Sequence, residues 1–70
     1  MKGSEFLKRV RKAAKRKGWS FDWYPDMGKG SHGILIVNGH RTTVRNLKDE
    51  LKTGTFYGML KQLQISEEDL

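Results

Sequence analysis

Phe6, Leu7, Val10, Ala13 and Ala14 recur at helical spacing, with lysines and arginines filling most positions between them. Ser4 stands where an N-cap is expected and Gly18 where a helix stops, so the pattern predicts a helix over residues 4–17. At Trp19 the period shortens to two. Trp19, Phe21 and Trp23 fall on one side and Ser20, Asp22 and Tyr24 on the other, which predicts a strand with one aromatic face, ended by Pro25. Turn formers fill 25–31, and His32 to Val37 reads as a β-branched strand running into Asn38-Gly39, the strongest short-range hairpin signal. With a two-residue loop, Val37 faces His40, Ile36 faces Arg41, Leu35 faces Thr42, Ile34 faces Thr43, Gly33 faces Val44 and His32 faces Arg45. One face then carries Val37, Leu35 and Val44, with His40 near the turn, and suits a core. The other carries His32, Ile34, Ile36, Arg41, Thr43 and Arg45 and is expected to be accessible.

Residues 46–52 are expected to form a short helical turn, and Thr53-Gly54-Thr55 a helix start capped by a hydroxyl. Phe56, Met59, Leu60 and Leu63 make a core-facing stripe on that second helix. Gly58 inside it costs about 1 kcal/mol against alanine, unless something approaches closely there. Ser66 opens an acidic end, Glu67-Glu68-Asp69-Leu70. The order helix, strand, strand, strand, helix predicts an α+β fold with both helices on one face of a three-stranded antiparallel sheet. Double-stranded RNA-binding domains use the same topology, although a shared fold does not carry a shared activity.

Seventy residues support one small core, so residues 1–70 are read as one domain. With no cysteine the chain has neither a disulfide framework nor a thiolate metal site, and it suits a reducing cytoplasm. The longest apolar run, Ile34 to Val37, is far short of the roughly 20 residues a bilayer span needs, and the start lacks a signal core. A soluble cytoplasmic protein is expected. The formal charge of +6 favours an acidic partner, whether nucleic acid, an anionic membrane surface or an acidic protein. Its distribution is local: Lys8, Arg9, Arg11, Lys12, Lys15, Arg16 and Lys17 crowd the first helix.

Lys29-Gly30-Ser31-His32-Gly33-Ile34-Leu35 resembles the Gly-Ser-His plus apolar strand of the HicA toxin family. Met1-Lys2-Gly3-Ser4-Glu5-Phe6-Leu7 looks like that family's opening, and Gly54-Thr55-Phe56-Tyr57-Gly58-Met59-Leu60-Lys61-Gln62-Leu63 is similar to its Gly-Thr-x-x-x-Ile-Leu-Lys-Gln helix. Ile65-Ser66 precedes the usual acidic end. Two stretches depart from the pattern: Val44-Arg45-Asn46-Leu47 replaces a common Pro and His at the exit of strand three, and Gln64 replaces a common glycine. The resemblance implies an endoribonuclease, the toxin of a type II toxin-antitoxin module, that cuts mRNA and tmRNA through the histidine after Gly-Ser, here His32. It also implies silencing by a HicB-type antitoxin that covers His32, with a monomeric free toxin and a larger hetero-oligomer in the inhibited complex.

The residues suit that chemistry. Cleavage of RNA needs a group that takes the 2′-hydroxyl proton, one that protonates the leaving 5′-oxygen, and positive charge around the phosphorane-like transition state. No metal or cofactor is called for. An imidazole titrates near 6.5 and serves as either acid or base at cellular pH. His32 is the candidate catalytic residue, with Lys29, Gly30, Ser31 and Arg45 around it, and Arg41 on the same face and Lys12, Lys15 and Arg16 on the basic helix are further candidate RNA contacts. Each has an ordinary explanation: a lone histidine at a strand start is usually a surface residue, and a charged run is usually a solvated helix face. His40 reads as a turn flank, at most a second proton donor. Trp19 and Trp23 are expected in the core, and Tyr24, of opposite parity, is the better base-stacking candidate. The Gly28-Lys29-Gly30-Ser31 loop fits neither a Walker nor a dinucleotide fingerprint. Two other readings compete: a non-catalytic RNA-binding module of the same fold, and a regulatory protein whose Ile34/Ile36 face docks a partner.

Overall fold

The computed structural model describes residues 1–27, 32–45 and 47–70. The elements run α1 (Gly3–Lys17), β1 (Phe21–Tyr24), β2 (Gly33–Val37), β3 (His40–Val44) and α2 (Thr53–Leu63), followed by one 3₁₀ turn (Glu67–Asp69). The sheet is antiparallel in the order β1-β2-β3. This is the α+β order expected from the sequence.

The hairpin sets the register. Asn38 and Gly39 both take positive φ, 52° and 83°, as a two-residue primed turn requires, and Val37 pairs with His40. Every pair from there to Gly33–Val44 follows as predicted. On the other side Phe21 pairs with Val37 and Trp23 with Leu35, so the aromatic face of β1 joins the apolar face of the hairpin. Phe6, Val10 and Ala14 of α1 and Met59, Leu60 and Leu63 of α2 close over Leu35, Val37 and Val44. The ring of Phe6 meets Phe56 edge-on at 5.9 Å. Trp19 and Trp23 are half-buried and pack against this cluster, as expected.

Several local expectations need correction. Ser4 does not cap α1, which starts one residue earlier with Lys2 at its N-cap and no side-chain cap. The orphan N–H groups of its first turn donate instead to the carbonyls of a segment distant in sequence: Gly3 to Asp49 and Ser4 to Leu47. That segment is not the helical turn expected over 46–52. Its described residues bend back against the start of the chain, with Glu50 bridging Lys2 and the Leu51 N–H donating to the Met1 carbonyl. Asn46 lies outside the described residues. At the other end of α1, Gly18 adopts φ 75°, and the N–H groups of Gly18 and Trp19 both donate to the Ala14 carbonyl. Closing the helix uses the Trp19 amide, which is why β1 begins at Phe21 rather than at Trp19.

In α2 the expected hydroxyl cap is also absent. Thr53 is already helical and Lys52 holds the N-cap position without a side-chain bond. Gly58 faces open space rather than a close neighbour. Gln64 ends the helix in the left-handed region at φ 56°, the position a glycine commonly fills. The acidic end does form a turn: the Ser66 hydroxyl accepts from the Glu68 N–H and the Asp69 carboxylate from the Ser66 N–H.

Candidate active site on the open sheet face

With both helices on one side, the opposite face of the sheet carries two cross-strand rows. Tyr24, Ile34 and Thr43 make one, and Asp22, Ile36 and Arg41 the next. This face is less open than expected. Ile34 is buried to 8% exposure and Ile36 is half-buried, because Tyr24 stands directly opposite Ile34 and, with Met27 and Arg41, walls the hollow that both isoleucines line. Tyr24 and Met27 remain exposed. Met27 was not singled out from the sequence, because a lone methionine in a turn carries no periodic signal.

His32 immediately precedes β2 and is half-buried. The last ladder pair is Gly33–Val44, so His32 and exposed Arg45 are the next residues outward on the two strands. Among the described residues no hydrogen bond or ion pair engages the His32 ring. Behind it, Gly33 faces the core side, and the six-membered ring of Trp23 fills the space that a Cβ on Gly33 would need. The histidine therefore stands beside a backbone position that accepts no side chain. Lys29, Gly30 and Ser31 lie outside the described residues.

The structure does not bring His40 to His32. It pairs with Val37 at the hairpin end of the sheet, five residues along β2 from His32, or about 17 Å at strand rise.

The basic helix lies elsewhere. Phe6, Val10, Ala13 and Ala14 turn toward the core, so exposed Lys12, Lys15 and Arg16 sit in the helical layer, with the sheet between that layer and Arg41. Lys15 reaches the seam between α1 and β1, where it shares a cleft with Arg11, Trp19 and Phe21. Arg16 donates to the Asp69 backbone carbonyl, and Lys17 pairs with the Asp69 carboxylate at 3.3 Å. The acidic end thus folds onto the C-terminal turn of α1. The Asp69 carboxyl is held below the usual carboxylate range, chiefly by the Ser66 N–H, which burial opposes and Lys17 and Arg16 assist.

Thr42, on the core side of β3, is 2% exposed and donates its hydroxyl proton to the Gln62 side-chain carbonyl on α2. Among the described residues no three His, Asp or Glu side chains converge as metal ligands would, and no helix is long and apolar enough to cross a membrane.

Neither the curated proteins nor the solved structures compared with the chain give a match. A family model does, over residues 7–65, from the first turns of α1 to just beyond α2. That match spans more than half of the chain, including His32, Gly33 and the whole sheet, and by it the chain belongs to the family of HicA toxins of bacterial toxin-antitoxin systems.

Proposed function

We propose that this toxin is an endoribonuclease that cleaves mRNA, and tmRNA, with His32 as its acid/base group. The observation that carries the reading is the setting of His32: half-buried at the rim of a sheet face, one residue beyond the last ladder pair, with no hydrogen bond or ion pair to its ring among the described residues. An imidazole held this way is available to a ligand from outside.

In the proposed reaction the neutral imidazole takes the proton of a ribose 2′-hydroxyl. The 2′-oxygen then attacks the adjacent phosphorus, and the bond to the 5′-oxygen breaks. The departing oxygen takes a proton from water, leaving a 2′,3′-cyclic phosphate and a free 5′-hydroxyl. Arg45 offsets the charge that accumulates on the phosphorane, Lys29, Gly30 and Ser31 are proposed to add donors to the same phosphate, and Arg41 is proposed to hold a neighbouring one. Lys12, Lys15 and Arg16 would hold flanking phosphates without reading sequence, so affinity should fall steeply with salt.

Membership of a toxin-antitoxin family implies an antitoxin partner. We propose that it is of the HicB type, covers His32 and joins the toxin in a hetero-oligomer within the cytoplasm. Expression of the chain should then arrest growth and shorten transcripts, and His32→Ala should abolish both effects. Full arrest by His32→Ala at equal protein level would overturn the reading.

A further inference from the structure

The hollow on the sheet face opposite the helices, lined by Tyr24, Met27, Ile34, Ile36 and Arg41, has the composition of a seat for one planar, phosphate-bearing group. Its volume is about 380 Å³, within the range of roughly 300–1,000 Å³ typical of small-ligand clefts. Ile34 and Ile36 form an apolar floor, exposed Tyr24 one wall and Arg41 the other. Tyr24 on β1 and Arg41 on β3 are two strand spacings, about 10 Å, apart across the sheet and one row, about 7 Å, apart along it. Among the described residues no hydrogen bond or ion pair occupies the Arg41 guanidinium. Ile34 lies two residues from His32 along the chain, about 7 Å at strand rise, the scale of one nucleotide step.

From this arrangement we infer that the hollow is a base subsite for single-stranded RNA. The nucleotide next to the scissile phosphate lays its base against Tyr24 over Ile34 and Ile36, and Arg41 holds its phosphate. The inference rests on the reading of the chain as an RNA-cleaving toxin and adds a substrate class to it. A duplex keeps its bases stacked inside the helix, so this site favours unpaired RNA. Charge favours RNA over an apolar protein segment as the occupant, because the Arg41 guanidinium beside the ring suits an anion.

The test is equilibrium binding in the His32→Ala background, which does not depend on cleavage. The probes are a short labelled single-stranded RNA and an abasic ribose-phosphate strand of equal length. Tyr24→Leu should weaken binding of the base-bearing strand about tenfold and leave the abasic strand unchanged, while Tyr24→Phe stays within about twofold of the parent on both. Arg41→Gln should weaken both strands alike and lower the salt slope by about one. Wild-type affinity for RNA in Tyr24→Leu would overturn the inference and leave this face to the antitoxin. Equal loss on both strands in Tyr24→Leu would overturn it too, since stacking would not be what was removed. Normal behaviour in these assays from a chain that cuts no RNA would sink the nuclease reading and leave the subsite standing.

Discussion

The six-membered ring of Trp23 occupies the volume that a Cβ on Gly33 would fill, on the residue that follows His32. The aromatic face of β1 and the direction of the candidate catalytic side chain are therefore one packing problem. Because Trp23 also packs on the core, it cannot withdraw without opening a void. Gly33→Ala should cost about 1–3 kcal/mol in denaturant unfolding and should also lower RNA cleavage by displacing the entry to β2. Adding Trp23→Leu should recover part of the stability lost to Gly33→Ala, giving a strong coupling between the two sites. Simple additivity in the double mutant would show that the contact is not what excludes a side chain at position 33.

Two substitutions, one inside α2 and one at its C-cap, should stabilise the protein for opposite reasons. Gly58 lies in the helix interior with open space around it, so Gly58→Ala should gain about 1 kcal/mol. Gln64 holds a left-handed backbone conformation that disfavours any side chain, so Gln64→Gly should gain about 1 kcal/mol. For a domain of this length each change corresponds to a rise of roughly 4–8 °C in Tm. A thermal melt in which either variant falls below wild type would contradict the assignment of that backbone position.

The Thr42–Gln62 hydrogen bond should be asymmetric to mutation. Gln62→Ala leaves the Thr42 hydroxyl buried without a partner and should cost about 1–3 kcal/mol. Thr42→Val removes the buried hydroxyl itself, and exposed Gln62 can turn to water, so the loss should be smaller, about 1 kcal/mol or less. Unfolding free energies in the reverse order would show that the bond is not formed in solution.

Acid should release the C-terminal turn. The Asp69 carboxyl lies below its ordinary value because the Ser66 N–H and then Lys17 and Arg16 favour its charged form. A carboxylate depressed on folding contributes its full stabilisation above the ordinary carboxylate range and loses it as pH falls through the depressed value. Amide signals of Ser66 and Leu70 should therefore hold steady from neutral pH down to about 4 and shift below it, with Asp69→Asn removing the transition. Signals that stay put through the acid range would show that the turn is held by other contacts.

The fold was legible where a short-range rule applies. Asn38-Gly39 specified the turn, and with it the register that separates Leu35, Val37 and Val44 from Ile36, Arg41 and Thr43. Gly18 marked the end of α1 through its left-handed conformation. What escaped were contacts between distant segments. Ser4 reads as a cap, but the carbonyls that satisfy the helix start come from Leu47 and Asp49, and no local pattern announces them. The burial of Ile34 depends on Tyr24 across the ladder, and the loss of Trp19 from β1 on helix closure at Ala14. The docking of Asp69 on Arg16 and Lys17 was half visible, since Ser66-Glu67-Glu68-Asp69 has the spacing of a capping box but names no partner. Within the candidate site His32 was found by its resemblance to a family motif, while the hollow on the same face needed the fold to bring Met27 to Ile36 and Arg41.

The central claim is that His32 moves a proton during RNA cleavage, and purified protein tests it most directly. Initial rates on a single-stranded RNA in EDTA should fall by about 10²- to 10⁴-fold in His32→Ala, with RNA affinity within about twofold of wild type and a 2′,3′-cyclic phosphate on the wild-type product. Equal rates for the two proteins, or no cleavage by either at matched affinity, would contradict it.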